Sequence, residues 1–355
     1  MMMLSIGTCF EWGEGGGLSR RNDMVSVSAE KKGKMGVVEK NDDDDLANTT
    51  TLIREISKQK SSFDTISVST EQKGEQVSDV DLVNTTTGVI RGIKMKDSIY
   101  VKRAYLGVPY AQPPKRWKRA NPILRKDGVL FANETGPDCF GKIVPGTSLS
   151  RMSEDCLTLD IYTPVTSTKN HSVMVYLHGG SLVEGSSSSI QSGYFAVSNM
   201  TRENVISISV NYRVAILGFF SLQAWEKKQQ YPEANFGLFD VIEALKWIQT
   251  NVAEFGGDPN RVTVYGQSSG GSLVFALATS PLAGGLFRNA ISMSGSPKLS
   301  ETPTSAAKTY YSEFIANTPC DMEDNVSSCL HALSPETVQN AMYVFLSLSS
   351  HSPYH

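Results

Sequence analysis

The sequence has little of what membrane-spanning and nucleic-acid-binding proteins require. No stretch approaches the roughly 18 consecutive apolar residues that a bilayer-spanning helix needs, and no long run of lysine and arginine is present. The 33 basic and 36 acidic side chains leave a formal net charge of -3 over 355 residues. Because nucleic acids and anionic membranes attract basic surfaces, we expect neither as a partner and no membrane span in this chain.

The first 78 residues lack the patterns of a folded domain. Met1 to Phe10 contains a short apolar patch with no basic residue before it, so no secretory leader is visible. From Glu11 to Ser78 the chain is rich in Ser, Gly, Lys, Glu and Asp without helical or strand periodicity, which predicts disorder. A cation site is one reading of the run Asp42 to Asp45, but like charges repel and extend the chain, so we interpret it as solvated linker. We therefore predict a disordered low-complexity extension at 1–78 and a folded domain at 79–355.

The chain beyond Asp79 alternates short β-branched runs with longer helical patterns, which is typical of an α/β domain. Several runs are apolar throughout, as expected for strands buried on both faces of a sheet. The predicted strands are Ile99 to Ala104, Leu157 to Tyr162, Val173 to Leu177, Val205 to Val210, Val262 to Tyr265 and Ala290 to Met293. Apolar side chains three and four residues apart predict a helix over Leu238 to Val252, which Gly256 and Gly257 end.

A candidate nucleophile lies where a predicted strand meets a predicted helix. Gly266-Gln267-Ser268-Ser269-Gly270 follows the strand Val262 to Tyr265 and precedes the helical pattern Leu273 to Ala278. In a G-x-S-x-G turn the serine occupies a sharp bend, and the flanking glycines allow close backbone approach. A Gly/Ser turn without chemical role is the alternative, but the strand before it and the helix after it favour Ser268 as a nucleophile.

A second glycine-rich loop follows the strand Val173 to Leu177. Its sequence, His178-Gly179-Gly180-Ser181, has the H-G-G-x form of an oxyanion loop. We expect the backbone N–H groups of Gly180, Ser181 and Ser269 to converge on the oxygen of a tetrahedral intermediate. An ordinary turn is the alternative, although the two loops occur in the order that this chemistry requires. We do not take His178 as the base, because its position in this motif usually shapes the loop.

Taken together with further motifs, these residues make the sequence resemble the type B carboxylesterases, which include cholinesterase-like enzymes. The motifs fall in family order across some 260 residues. They are Thr87–Gly92, Tyr105–Pro114, Ser153–Asp160, Asn211–Arg213, Leu217–Phe219, Phe255–Pro259 and Ser294–Ser296. The resemblance implies an α/β-hydrolase fold with a mostly parallel central sheet and flanking helices, incomplete at its C-terminal edge. It also implies that Ser268 forms the acyl intermediate and that Gly180, Ser181 and Ser269 are the oxyanion donors.

The sequence departs from the family pattern in three places. Gln267 and Ser269 stand where Glu and Ala are most frequent, which is tolerable because the donor at 269 is a backbone group. Ser181 and Leu182 replace the more frequent Gly and Phe, which puts substrate choice in doubt. The stretch Pro113 to Trp117 is shorter than its usual counterpart, and we assign no function to that contraction.

The cysteines fit the same resemblance. Cys139 and Cys156 match the family's first disulfide loop, and Cys320 and Cys329 look like its second, which leaves Cys9 unpaired. Two disulfides imply an oxidising compartment, whereas four free buried thiols in a cytosolic protein are the alternative. Possible glycosylation sequons at Asn84, Asn133, Asn170, Asn199 and Asn325 also fit a secreted or luminal glycoprotein.

The remaining members of a catalytic triad are not found at family positions. The family order is Ser, then Asp or Glu, then His, and only 87 residues (355 - 268) follow Ser268. We therefore expect that the chain is truncated and that its base and acid lie further downstream in a complete form. Six side chains after Ser268 are candidates for the base or the acid, and none of them matches a family position: His331, His351, His355, Glu301, Glu313 and Asp324.

The sequence thus predicts a serine hydrolase that acts on small carboxylic esters through an acyl-Ser268 intermediate, with no metal or organic cofactor. The alternative is a cholinesterase-like adhesion or binding module without turnover. Ser268 and the oxyanion loop favour the enzyme, and the missing triad partners favour the module. The oligomeric state and the natural ester are not predicted.

Overall fold

The computed structural model describes residues 9–12, 18–21, 82–96, 101–143, 148–188, 197, 199–226, 233–297 and 311–348. Its strands are β1 (Cys9–Trp12), β2 (Leu18–Arg21), β3 (Leu82–Thr85), β4 (Gly88–Arg91), β5 (Ile93–Lys96), β6 (Val101–Pro109), β7 (Val129–Phe131), β8 (Asp138–Cys139), β9 (Met152–Ser153), β10 (Thr158–Pro164), β11 (His171–Leu177), β12 (Ile206–Val210), β13 (Gly257–Gln267) and β14 (Asn289–Met293). Its α-helices are α1 (Ala215–Phe219), α2 (Leu222–Trp225), α3 (Phe236–Asn251), α4 (Ser269–Thr279), α5 (Ser312–Ala316), α6 (Val326–Ala332) and α7 (Pro335–Leu348).

A seven-stranded mixed sheet organises the domain, in the order β14-β13-β11-β12-β10-β6-β5. The ladders among β12, β11, β13 and β14 are parallel, and those that join β12, β10, β6 and β5 are antiparallel. The predicted α/β class is confirmed, and the parallel pairing predicted for the sheet holds for the half that carries Ser268. Parallel neighbours put their carboxyl ends at one edge of the sheet, where ligand sites of α/β folds form.

The core explains why the apolar runs become central strands. Ile161, Val175, Ile208 and Val264 are fully buried on neighbouring strands of the sheet. Helix α3 contributes Val241, Leu245 and Ile248 to the same core cluster, as its three-and-four spacing predicted. Gly256, with φ of 90°, follows the short 3-10 turn Val252–Phe255 at the end of this helix, so the predicted stop is confirmed.

Two strands are longer than the sequence indicated. β13 begins at Gly257, because the segment Asp258 to Asn260 continues the strand through an irregularity opposite His171 and Val173. β6 continues to Pro109, and its Gly107 adopts φ of 66° beside a register shift in β10. Glycine and proline were interpreted as strand ends, whereas here they occupy irregular positions inside a ladder.

A small three-stranded sheet, in the order β3-β4-β7, forms a separate ladder, and its Val83 and Ile90 pack into the same core as the large sheet. Its register aligns Leu82 with Arg91 and Phe131, and Asn84 with Val89 and Val129. The β3–β4 turn is attached to α3, because the N–H and hydroxyl of Thr86 both donate to Asn251 Oδ1, at 2.8 and 2.9 Å. The buried amide of Asn251 therefore attaches this turn to the helix.

Part of the N-terminal extension has structure that the sequence analysis did not anticipate. β1 and β2 pair antiparallel as a hairpin, and β1 lies close to β14 without forming a ladder with it. The rest of the segment predicted to be disordered, including Asp42 to Asp45, lies outside the described residues.

Two disulfides and a partly buried ion pair lie in the loops around the sheet. Disulfide bonds join Cys139 to Cys156 and Cys320 to Cys329. In the contracted stretch, the Arg116 Nε donates to both Glu154 oxygens at 2.9 and 3.0 Å. The shortened loop therefore retains a charged anchor. Among the helices described, none combines the length and apolar character needed to cross a bilayer.

Candidate active site

Ser268 lies at the bend between β13 and α4. Its backbone adopts φ of 57° and ψ of -125°, a strained region for a residue with a side chain. The Ser268 N–H donates to the Met293 carbonyl at 2.8 Å, and its own carbonyl accepts from the Ser272 N–H at 3.1 Å. These bonds to β14 and to the first turn of α4 hold the strained bend, with the side chain partly exposed.

The glycines of the G-x-S-x-G turn are required by close contacts. A Cβ at Gly266 would lie 2.5 Å from the carbonyl group of Gly270. A Cβ at Gly270 would overlap the Leu177 carbonyl oxygen and lie 2.6 Å from that of His178. Any side chain at either position would therefore push α4 away from the bend or from the end of β11.

The candidate oxyanion loop begins at the end of β11, level with the Ser268 bend at the end of the neighbouring strand β13. Leu177, the last residue of β11, pairs with Gly266 of β13, so the loop and the bend begin side by side. A Cβ built on Gly179 would be 3.2 Å from the Ser268 Cβ. The structure thus brings together the two loops that the sequence analysis paired, with the oxyanion loop against the candidate nucleophile.

An unusual backbone conformation shapes this loop. Gly180, Ser181, Leu182 and Gly185 have φ values of 111°, 54°, 58° and 108°. The Gly180 carbonyl turns inward and accepts the N–H groups of both Val183 and Glu184, at 2.9 and 3.1 Å. Positive φ at both Ser181 and Leu182 is the conformation of a type I′ turn, which closes the Gly180 carbonyl onto the Val183 N–H.

Three backbone N–H groups in the two loops have no acceptor within the described part of the chain. They belong to Gly180, Ser181 and Ser269, the residues predicted as oxyanion donors. Ser269 is also the first residue of α4, where helix geometry leaves the N–H without an intrahelical partner and the helix dipole favours negative charge. These donors lie on the two loops that flank Ser268.

His178 is buried and serves the shape of the loop. Its ring stacks on Tyr212, with centroids 4.2 Å apart and planes 9° from parallel. Its Nδ1 lies 2.9 Å from the Gly179 carbonyl oxygen, and burial lowers the pKa of the imidazole to about 4. A neutral, enclosed imidazole of this kind is a structural support for the loop, in agreement with the role given to His178 from the sequence.

The segment Asn211–Ala215, which contains the N-Y-R motif, holds the oxyanion loop from behind. Asn211 Oδ1 accepts the Ser187 N–H at 2.6 Å, and the Tyr212 hydroxyl donates to the His178 carbonyl at 2.5 Å. The Ala215 N–H donates to the Leu182 carbonyl at 2.6 Å. Sequence reasoning used this motif as a family marker and assigned it no role.

A buried ion pair fixes that segment to the helix behind it. Arg213 Nε and Nη2 donate to the two carboxylate oxygens of Asp240 in α3, each at 2.7 Å. Both side chains are almost completely buried. Bidentate geometry with full burial makes this pair a rigid anchor, and its acidic partner was not singled out from the sequence.

A buried carboxylate on β10 supports the far end of the loop. Asp160 accepts the Gly107 N–H at 2.8 Å and the Ser187 hydroxyl at 2.9 Å. The Ser187 carbonyl in turn accepts the Ser209 hydroxyl at 2.9 Å. Burial raises the pKa of Asp160 to about 6, against the lowering effect of these two hydrogen bonds.

The candidate bases and acids do not reach Ser268. Among the described residues, no imidazole or carboxylate hydrogen-bonds the Ser268 hydroxyl. His331 lies on α6, where its ring contacts Trp117 at a centroid distance of 5.1 Å. Glu313 lies on α5 and Asp324 in an exposed turn, whereas His351, His355 and Glu301 fall outside the described residues. In that same part of the chain, no group of three His, Cys, Asp or Glu side chains is arranged to hold a metal ion.

Comparison with known proteins agrees with this architecture. The model of the carboxylesterase family matches residues 79–353. Human carboxylesterase 3 is 36% identical over 230 residues, which are 60% of this chain and 39% of that protein. Rat pyrethroid hydrolase Ces2e is 34% identical over 272 residues, 71% of this chain and 46% of that protein.

Solved structures give the same result. A PNB esterase superposes with a TM-score of 0.64 at 32% identity, covering 76% of this chain and 54% of the esterase. The chain thus spans about half the length of these relatives or less. The residues matched by the family model include Ser268, and the structural neighbours share an α/β-hydrolase fold with this chain. The chain belongs to the carboxylesterase family.

Proposed function

We propose that this chain carries the nucleophile and the oxyanion hole of a serine carboxylic-ester hydrolase. The observation that carries the proposal is the strained Ser268 bend, which lies against a loop whose N–H groups at Gly180 and Ser181 have no acceptor in the described part of the chain. A backbone strain of this kind has an energetic cost. Its presence beside donors without acceptors supports a catalytic role for Ser268 over a merely structural turn.

The chemistry proceeds through an acyl intermediate. The Ser268 oxygen attacks the ester carbonyl carbon while its proton passes to a base, and the carbonyl oxygen becomes the oxyanion held by Gly180, Ser181 and Ser269. The alcohol leaves with a proton from that base, and water then hydrolyses the acyl-Ser268 ester to release the acid. Each oxyanion donor is worth about 2.7 to 4 kcal/mol of barrier. The base comes from outside the described residues.

A non-catalytic adhesion or binding module is the second candidate. The observation in its favour is that no described imidazole contacts the Ser268 hydroxyl, which leaves a weak nucleophile. In such a module the same fold would serve as a recognition surface, and the loops around Ser268 would persist without turnover.

We also propose that the protein resides in the secretory lumen or outside the cell. The bonds Cys139–Cys156 and Cys320–Cys329 support this compartment, because disulfides persist where the environment is oxidising. N-linked glycans at the exposed sequons are part of the same proposal.

The two candidate functions differ in turnover. The full chain is mixed with a short-chain p-nitrophenyl ester, and p-nitrophenolate release is compared with that of Ser268→Ala. A hydrolase releases product above the rate of Ser268→Ala, although slowly without its base. Equal release by the two proteins would favour the binding module and overturn the enzymatic proposal.

A further inference from the structure

The small sheet presents an apolar face that no described element covers. Across the register, Leu82 and Phe131 lie on either side of Arg91, and Val129 lies two residues before Phe131. Leu82, Val129 and Phe131 are 40%, 43% and 62% exposed. The Arg91 guanidinium lies 5.5 Å from the Phe131 ring centroid, yet most of the ring still faces solvent. Contiguous apolar groups on a β-sheet surface with an edge strand favour aggregation unless something covers them.

Asn84 lies on this face. Its register partner is Val89, which pairs with Val129, so Asn84 occupies the row next to Leu82, Arg91 and Phe131. Its side chain is exposed, whereas its neighbours Val83 and Thr85 are buried on the opposite face. Side chains opposite each other on paired strands are roughly 5 Å apart at Cβ, which puts the apolar residues within reach of a group on Asn84.

The residues around Asn84 form an N-glycosylation acceptor. The sequence Asn84-Thr85-Thr86 satisfies N-x-T, with neither of the following residues a proline. A second acceptor, Asn133-Glu134-Thr135, begins two residues after Phe131. Asn133 is exposed while the intervening Ala132 is buried, so Asn133 continues the exposed face of β7 beyond Phe131.

We propose that Asn84 carries an N-linked glycan whose sugars cover the exposed apolar face of the small sheet, with Asn133 as a second attachment point at its border. Sugar rings present C–H groups that pack on aliphatic side chains and on the electron-rich face of an aromatic ring. The covered surface is formed by Leu82, Val89, Val129 and Phe131. The proposal rests on the proposed secretory route, because the glycan donor is found only there.

Attachment of the glycan is a substitution at the anomeric carbon of the sugar. The Asn84 amide nitrogen forms a bond to the anomeric carbon of an oligosaccharide carried on a lipid pyrophosphate, and the bond from that carbon to the pyrophosphate oxygen breaks. The amide loses one proton and the lipid pyrophosphate leaves. The donor lipid and the oligosaccharide transferase belong to the secretory pathway of the cell, and no oxidant or reductant is consumed.

The test uses the full chain, expressed behind a cleavable secretion leader in a glycosylating eukaryotic host. Peptide N-glycosidase digestion in ¹⁸O water converts each glycosylated Asn to labelled Asp, so mass spectrometry reads the occupancy of Asn84. The variant is Asn84→Gln, and the matched control is Asn170→Gln, whose asparagine is exposed in the turn between β10 and β11. Binding of a solvatochromic apolar dye then reports the exposed apolar surface of each secreted protein.

We expect labelled Asp at position 84 and a gain in dye fluorescence for Asn84→Gln that Asn170→Gln does not show. Adding Phe131→Ser to Asn84→Gln should remove that gain, because the largest apolar group of the face is gone. An unmodified Asn84 beside a modified Asn170 would overturn the proposal, as would equal dye binding by the two glutamine variants. Ser268→Ala should leave both readouts unchanged, so a failure here is distinct from a failure of the esterase proposal.

Discussion

The Ser269 hydroxyl accepts a hydrogen bond from the N–H of Leu182 at 3.1 Å. This bond joins the residue after the candidate nucleophile to the middle of the oxyanion loop. The loop therefore depends on the side chain at 269 as well as on its backbone. From the sequence, a serine at this position is tolerable because the donor at 269 is a backbone group, whereas in the structure its hydroxyl also makes a contact of its own.

Ser269→Ala should loosen the oxyanion loop. The substitution removes the acceptor of the Leu182 N–H, and a lost hydrogen bond of this kind costs about 1 kcal/mol of unfolding free energy. We expect a lower midpoint in urea denaturation and slower phosphonylation of Ser268. Ser269→Thr, which keeps a hydroxyl, should behave like the parent protein. Equal effects of both variants would show that the hydrogen bond from the Leu182 N–H does not contribute to stability or to the reactivity of Ser268.

Asp160 should make the protein less stable as the pH rises. Burial raises its pKa to about 6 in the folded state, from 3.8, so between these values the folded state binds more protons than the unfolded state. Its contribution to stability is present below about pH 4 and is lost as the pH rises through 6. Over the whole pKa shift, the free energy of unfolding falls by roughly 3 kcal/mol.

Asp160→Asn tests that assignment. The amide oxygen can still accept the Gly107 N–H, and the amide nitrogen can donate to the Ser187 hydroxyl. Buried His178, whose pKa is lowered to about 4, stabilises both proteins as the pH rises, so the readout is the difference between them. Urea denaturation at pH 5 and pH 7.5 should show that the free energy of unfolding of Asp160→Asn increases relative to that of the parent, and that the variant is more stable than the parent at pH 7.5. The same pH dependence in both proteins would place the titrating group elsewhere.

Asp240→Ala should destabilise the domain severely. It leaves the buried Arg213 guanidinium without its carboxylate, which typically costs about 3 to 5 kcal/mol. The control on the same helix is Glu243→Ala, which removes a pair with the half-exposed Lys246 and should cost no more than about 1 kcal/mol. Thermal denaturation compares the two, and a similar small shift for both would contradict the anchoring role of Asp240.

Removing the Cys139–Cys156 bond should cost more than removing Cys320–Cys329. The sequence separations are 17 and 9 residues, and the entropy of loop closure gives about 3 kcal/mol for the first and slightly less for the second.

Non-reducing peptide mapping of protein from its native source should find both bonds. Free thiols at all four positions would contradict the proposed compartment.

The sequence predicted the central strands because their composition leaves few alternatives. An apolar run such as Val173 to Leu177 buries all of its side chains only inside a sheet that is covered on both faces. These residues form most of β11, which is buried along nearly its whole length. By contrast β5, with the sequence Ile-Lys-Met-Lys, and the exposed β7 were missed. Short edge strands depend on neighbours distant in sequence, so their local pattern carries little information.

The candidate site was predictable where a motif fixes the backbone, and only there. Gly266, Ser268 and Gly270 constrain one turn, so the sequence located the bend. Asp160 and Asp240 act through partners at Ser187 and Arg213 that lie 27 positions away in each case. No local pattern identifies such pairs, because they form only after the sheet and α3 have assembled.

The central claim, that Ser268 is the nucleophile, is tested most directly by a fluorophosphonate probe and peptide mapping of the adduct. We expect slow modification that maps to Ser268, disappears in Ser268→Ala and is slower still in Ser269→Ala. Slow reaction is expected because no described imidazole accepts the Ser268 proton. Modification that is spread over other serines, or that persists unchanged in Ser268→Ala, would contradict the account.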